Sequence, residues 1–297
     1  MSVLVRDIIK NYGKVNALKG VSFEVGKGEL FGIIGPDGAG KTSLFRILTT
    51  LLTANSGSAT VDGLDVIRDY KEIRCRVGYM PGRFSLYQDM TVEENLSFFA
   101  AVFGTTIQTN YQLIEDIYKQ IEPFKKRRAG KLSGGMKQKL ALCCALIHKP
   151  SVLFLDEPTT GVDPVSRKEF WQMLRRLQAQ NITILVSTPY MDEAMLCDRI
   201  ALIREGIFLK IDAPTHIIAD FNEPLFAVSA RNMYHLLTQL RLLPEVKSSY
   251  AFGNVHHVIL HRPESLRIVD NHLRESGFSD IEMYPITATI EDCFLSY

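Results

Sequence analysis

Eight consecutive residues, Gly35-Pro36-Asp37-Gly38-Ala39-Gly40-Lys41-Thr42, have the types and spacing of a phosphate-binding loop, G-x-x-x-x-G-K-[ST]. The glycines let successive backbone N–H groups turn inward around an anion. A helix that starts at the loop adds the partial positive charge of its N-terminus. In such a loop Lys41 reaches the β- and γ-phosphates of a nucleotide and the Thr42 hydroxyl holds Mg2+. The plainer alternative is a glycine-rich turn that ends a strand. The complete match, with Lys-Thr in place, favours the loop.

Other residues have the types such chemistry needs. Ser133 precedes Gly134-Gly135 at the head of an apolar run, a good N-cap that leaves the first N–H groups of a helix exposed. That is a second anion-binding terminus, or else an ordinary Ser-Gly-Gly turn. Asp156 and Glu157 close the apolar run Val152-Leu153-Phe154-Leu155, and charges at the end of a buried strand are costly unless they meet a cation or water. Tyr12, beside Gly13, is either a core residue or an aromatic that stacks on a base. His256, His257 and His261 alternate with no cysteine or carboxylate nearby and do not read as a metal site.

The elements that must position these residues follow from periodicity. Short strands are expected at Val3–Val5 and Gly20–Val25, and a buried strand at Glu29–Ile34 feeds the loop. Helical spacing follows at Ser43–Leu48. A turn and short strand fit residues 56–63, and a strand at Arg76–Pro81 is stopped by its proline. Thr91 and Glu94 form a capping box before the run Leu96–Phe103, and a second helix fits residues 110–122. The run Lys125-Lys126-Arg127-Arg128 reads as a solvated face. A long helix from Ser133 through Ile147, a strand into Asp156-Glu157, a helix capped by Asp163 with Pro164 at its first position, and a strand Ile182–Thr188 come next. Two more strands lie near 200–204 and 207–211. Strands alternating with helices imply a largely parallel α/β sheet whose ligands bind at the carboxyl ends of strands. The loop, the Asp156-Glu157 pair and the Thr188-Pro189 corner all fall at such ends.

A break falls near Asp212-Ala213-Pro214. Beyond it the order is strand, helix, strand, strand, helix, strand, with a final helix at Ile290–Leu295, which suggests a small α+β ferredoxin-like domain. The expected division is residues 1–215 and residues 216–297. At 297 residues, 46% hydrophobic and 23% charged, the chain can bury a sizeable core. A net charge of +1 makes no bulk electrostatic case for nucleic acid or an anionic membrane. Five unpaired-looking cysteines point to a reducing, cytosolic setting. No signal peptide is visible, and no apolar run reaches the roughly 18 residues of a membrane span. Action at a membrane therefore needs a partner.

Taken together, Tyr12, the phosphate loop, Leu132-Ser133-Gly134-Gly135-Met136, Leu155-Asp156-Glu157-Pro158-Thr159 and Gly161-Val162-Asp163-Pro164 resemble the ATPase subunit of an ABC transporter, in order and spacing, over residues 1 to about 215. The loop Gly-Pro-Asp-Gly-Ala-Gly-Lys-Thr and the segment Tyr190-Met191-Asp192-Glu193-Ala194 are most similar to exporter ATPases of the ABC-2 type, including the multidrug class. The resemblance implies an α/β P-loop NTPase cassette with a helical subdomain at about residues 85–150. It implies that Tyr12 stacks on adenine and that the loop through Ser43 holds the phosphates of ATP. Thr42 and Asp156 would coordinate Mg2+, the second through water, and Glu157 would be the general base. The Ser133-Gly134-Gly135 helix end would cap ATP bound to a second ABC ATPase subunit, facing head to tail as homodimer or heterodimer. Integral-membrane permease subunits would hold the pair peripherally on the inner face of the cell membrane.

Two residues depart from the pattern. Gly82 stands where the family usually has Gln after Tyr-Met-Pro, and Pro189 stands where it usually has His. Glycine has no side chain for Mg2+ or water, and proline lacks even a backbone donor. The departures imply an asymmetric pair, in which this subunit binds ATP but hydrolyses it slowly, and its signature helix completes a competent site elsewhere. The alternative is a normal homodimer in which Tyr190 or Gln88 substitutes. Soluble ABC ATPases that act on ribosomes usually carry two cassettes, whereas this chain carries one. A nucleotide-dependent scaffold is a further alternative.

Overall fold

The computed structural model describes all residues, Met1–Tyr297. They divide into two units, Met1–Pro214 and Thr215–Tyr297.

The first unit opens with a long hairpin, β1 (Val3–Tyr12) and β2 (Val15–Val25). The expected strand at Val3–Val5 continues to Tyr12. Its alternation is hidden because the register with β2 shifts between Val5 and Ile8, where Asp7 has φ +49°. The inward set Val3, Val5 thus resumes at Ile8 rather than at Asp7. Then come β3 (Leu30–Ile34), α1 (Lys41–Leu48), β4 (Ser56–Val61), β5 (Leu64–Asp65), α2 (Tyr70–Arg76) and β6 (Val77–Met80). Helix α2 has no sequence signal because only Ile73 of its seven residues is buried. Strands β2-β1-β4-β5 make an antiparallel sheet.

Three helices follow: α3 (Val92–Val102), α4 (Tyr111–Tyr118) and α5 (Gly134–Leu146). The Thr91 hydroxyl accepts the Glu94 N–H (3.2 Å) and the Glu94 carboxylate accepts the Thr91 N–H (2.7 Å), closing the capping box. Carbonyls of Lys125 and Arg127 accept the N–H groups of Glu93 and Val92. The backbone of the basic run therefore completes that helix end while Lys126, Arg127 and Arg128 face solvent.

The unit closes with β7 (Val152–Asp156), α6 (Pro164–Ala179), β8 (Thr183–Thr188), β9 (Arg199–Arg204) and β10 (Ile207–Asp212). The central sheet has the order β10-β9-β3-β8-β7-β6, all parallel except the edge strand β10. Strands β3, β7 and β8 are buried along their whole length, which is why their sequences centre on apolar runs rather than alternating. Phe45 of α1 meets Phe154 of β7 edge to face at 5.6 Å, seating the helix that follows the glycine loop on the sheet.

The second unit contains α7 (Pro214–Ala219, beginning at the boundary), β11 (Leu225–Ser229), α8 (Met233–Leu240), β12 (Val246–Phe252), β13 (Val255–Leu260), α9 (Leu266–Glu275), β14 (Glu282–Pro285) and α10 (Ile290–Ser296). Its sheet is antiparallel, β12-β13-β11-β14. Phe226, Val228 and Val258 form one core with Leu236, Leu240, Val269 and Leu273 of α8 and α9. One of the histidines, His257, does have a carboxylate nearby, contrary to the sequence expectation. Asp292 of α10 lies 2.7 Å from His257 Nδ1, and its other oxygen accepts from the Thr289 amide and hydroxyl. The pair is separated by 35 residues and meets only because α10 lies beside the strand.

Candidate functional site

The glycine loop joins β3 to α1, and two of its glycines are required by shape. A Cβ on Gly35 would lie 2.1 Å from the Ile203 carbonyl oxygen. Gly40 has φ +104°, and a Cβ there would lie 2.3 Å from the Ala17 carbonyl oxygen. Gly40→Ala is expected to lower the melting temperature by at least about 4 °C, because a left-handed non-glycine residue costs about 1–2 kcal/mol before the clash is counted. A thermal unfolding curve identical to wild type would contradict this.

The loop leaves backbone donors unused. The N–H groups of Lys41, Thr42 and Ser43 at the start of α1 find no acceptor in the protein. Pro36, Asp37 and Gly38 are exposed, while Ala39 is buried and hydrogen-bonds into the fold. Lys41 is only 2% exposed. Its Nζ donates to the carbonyls of Gly35 (2.7 Å) and Pro36 (3.0 Å) and pairs with Glu157 Oε1 at 3.1 Å. Asp37 approaches it at 3.9 Å. The ammonium is thus curled back, with Glu157 as its counter-charge.

Sheet order explains why residues more than a hundred positions apart meet here. Strand β8 lies between β3 and β7, with Ile34 beside Thr188 and Asp156 beside Ser187. The Gly35 N–H donates to the Thr188 carbonyl at 3.2 Å. Ser187 had no sequence signal beyond being a hydroxyl at the end of an apolar strand. Its Oγ donates to Asp156 Oδ1 at 2.6 Å and accepts the Glu157 N–H at 3.1 Å. Glu157 itself has φ +51°, a strained conformation for a non-glycine residue, of the kind that collects at functional sites. Burial, followed by the charge of Asp156, pushes the phenol of Tyr79 on β6 up to about 12.

Asp156 is 2% exposed, and the protein gives its carboxylate the single hydrogen bond from Ser187. The Thr42 hydroxyl makes no hydrogen bond within the protein. An oxygen of Asp156 and the oxygen of Thr42 are therefore uncommitted, and an all-oxygen donor set suits a hard divalent cation such as Mg2+. Tyr12 is not a core residue: it is 45% exposed, and its hydroxyl lies 3.2 Å from Ser43 Oγ, at the loop's end.

Ser133 and Gly134 are exposed at the head of α5. Ser133 Oγ accepts the Met136 N–H at 3.3 Å, and a Cβ on Gly135 would lie 2.7 Å from Ser166 Oγ, fixing this helix end against α6. Asp163 caps α6 by accepting the Ser166 N–H at 3.0 Å, and that bond holds its carboxyl below the usual range. A Cβ on Gly82 would lie 3.0 Å from the Asp156 carbonyl oxygen and 3.7 Å from Glu157 Cβ. The position is thus beside the backbone of Asp156 and the base of the Glu157 side chain, and carries no side chain of its own. Tyr190, next to Pro189, lies under the Arg167 guanidinium at 4.2 Å. Gln88 packs against Gly130, whose N–H its carbonyl accepts.

A family model described as ABC transporter matches residues 18–160. The chain is 40% identical over 277 residues to the probable multidrug ABC transporter ATP-binding protein YbhF of Escherichia coli (strain K12), covering 90% of this chain and 46% of that one. It therefore spans about half the length of that relative. It is 40% identical over 216 residues to the Nod factor export ATP-binding protein I of Burkholderia lata, covering 72% of this chain and 71% of that one. Among solved structures, cbiO1 from Clostridium perfringens, described as part of the ABC transporter complex cbiONQ, aligns with a TM-score of 0.66 at 28% identity, over 74% of this chain and 91% of that one.

Proposed function

This chain belongs to the ABC transporter ATP-binding family, and we propose that it binds Mg-ATP at the Gly35–Ser43 loop, pairs head to tail with a second ATPase subunit, and couples ATP hydrolysis to export by separate membrane permease subunits. The observation that carries this reading is the junction of β3, β8 and β7. There, free helix-start amides, the buried Lys41 and the Asp156-Glu157 carboxylates meet at adjacent strand ends. Phosphoryl transfer needs positioning and charge stabilisation more than covalent chemistry, and these groups supply both.

Tyr12 stacks on the adenine. Lys41 exchanges Glu157 for phosphate oxygens, and the amides of Lys41, Thr42 and Ser43 hold the same anion. Mg2+ in such a site neutralises phosphate charge, and Thr42 and Asp156 are the residues that hold it. Glu157, released from Lys41, takes the proton of the attacking water. The exposed Ser133-Gly134-Gly135 end presents free N–H groups to the nucleotide of a facing subunit. No helix is long and apolar enough to cross a membrane. A groove of about 400 Å³ lined by Tyr79, Met80, Pro81, Phe99, Val102 and Phe103 gives a permease subunit an apolar seat beside Gly82. The location that fits is the cytoplasmic face of the cell membrane. The sheet order of residues 216–297 supports a ferredoxin-like accessory domain that follows the ATPase domain, residues 1–215, in the chain.

Gly82 and Pro189 favour the asymmetric form of the pair. Neither Tyr190, stacked under Arg167, nor Gln88, packed on Gly130, is committed to the carboxylates. Losing a donor to developing charge costs about 2.7–4 kcal/mol elsewhere, so turnover at this chain's own loop is slow. Steady-state turnover of the purified chain tests this. A rate of about 1 s⁻¹ or more, within the ordinary enzyme range, that is abolished by Glu157→Gln would overturn the asymmetric form.

A further inference from the structure

We infer that Ser187 is a positioning residue that sets the metal-facing carboxylate and the adjoining base together. The inference rests on the nucleotide reading above and assigns a role to a residue with no place in its motifs. Ser187 is fully buried, with 0% exposure, so its hydroxyl has no solvent alternative. Its one proton goes to Asp156 Oδ1 at 2.6 Å. That bond fixes the rotation of the carboxylate and leaves the other oxygen facing away from the serine. The same hydroxyl oxygen accepts the Glu157 N–H at 3.1 Å, and the Ser187 carbonyl accepts that N–H at 3.0 Å. The shared N–H pins the backbone of Glu157 where φ is +51°. The next residue, Thr188, accepts the Gly35 N–H, so a two-residue stretch of β8 joins the phosphate loop to both acids. No other side chain hydrogen-bonds to Asp156, so Ser187 alone orients it.

A group that orients a metal ligand from behind typically changes metal affinity by 10–100-fold when removed. The test compares wild type, Ser187→Ala and Ser187→Thr by calorimetry, with ATP in EDTA and with ATP in excess Mg2+. Melting curves confirm folding. The ratio of the two affinities reports the metal contribution without reference to turnover. Ser187→Ala is expected to bind metal-free ATP as wild type does and to lose about 10-fold of the Mg2+-dependent tightening, while Ser187→Thr, which keeps the hydroxyl, restores it. An unchanged ratio in Ser187→Ala would overturn the inference. So would an equal loss with and without Mg2+, or a threonine variant no better than alanine. Failure of wild type to bind ATP under either condition would instead remove the nucleotide reading itself, and this inference with it.

Discussion

Lys41→Ala is expected to weaken Mg-ATP binding by at least about 100-fold, equivalent to about 2.7 kcal/mol. The side chain is 2% exposed, and its three protons are all committed, two to loop carbonyls and one to Glu157. Truncation removes the cation from the phosphate site and leaves Glu157 facing the incoming triphosphate without a counter-charge. Hydrogen bonds to charged groups contribute about 1.5–3 kcal/mol each, so two lost phosphate contacts account for the effect. Displacement of a fluorescent ATP analogue measures it. The fold is expected to survive, since α1 remains anchored by Leu44, Phe45 and Leu48. Equal affinity in wild type and variant would contradict the placement of the phosphates at this lysine.

The second large effect concerns Glu157. Glu157→Gln is expected to reduce hydrolysis at this chain's own loop by a further factor of about 10² or more, the usual contribution of a general base. It is also expected to tighten ATP binding several-fold. The carboxylate holds Lys41 at 3.1 Å, and an arriving phosphate must displace it. An amide of the same size can still accept from the ammonium but carries no charge, so it competes more weakly for Lys41 and does not repel the phosphate. Single-turnover measurements with protein in excess over radiolabelled ATP resolve both effects. An unchanged hydrolysis rate would remove Glu157 from the chemistry, and weaker binding would remove it as a competitor for Lys41.

The site was legible in the sequence where its chemistry is local. The phosphate loop, the caps at Ser133 and Asp163 and the Thr91-Glu94 box are set by neighbours within a few residues, and the structure has each on the expected element. The buried parallel strands were legible because each has an apolar run at its centre. What was hidden depends on pairing between distant segments. Ser187 looks like any strand residue until β8 is seen between β3 and β7. Asp292 meets His257 only through the packing of α10. The bulge at Asp7 broke the alternation that would have shown the full length of β1, and α2 buries one residue and so leaves no stripe. The contact between Lys41 and Glu157 was invisible for the same reason: Lys41 opens the helix that follows β3, Glu157 follows β7, and β8 lies between those two strands.

The central claim is that a nucleotide triphosphate occupies the Gly35–Ser43 loop over Lys41. A calorimetric titration of the wild-type chain with Mg-ATP tests it most directly. Saturable uptake of one nucleotide per chain is expected, and a flat titration at protein concentrations where the chain is folded would contradict it.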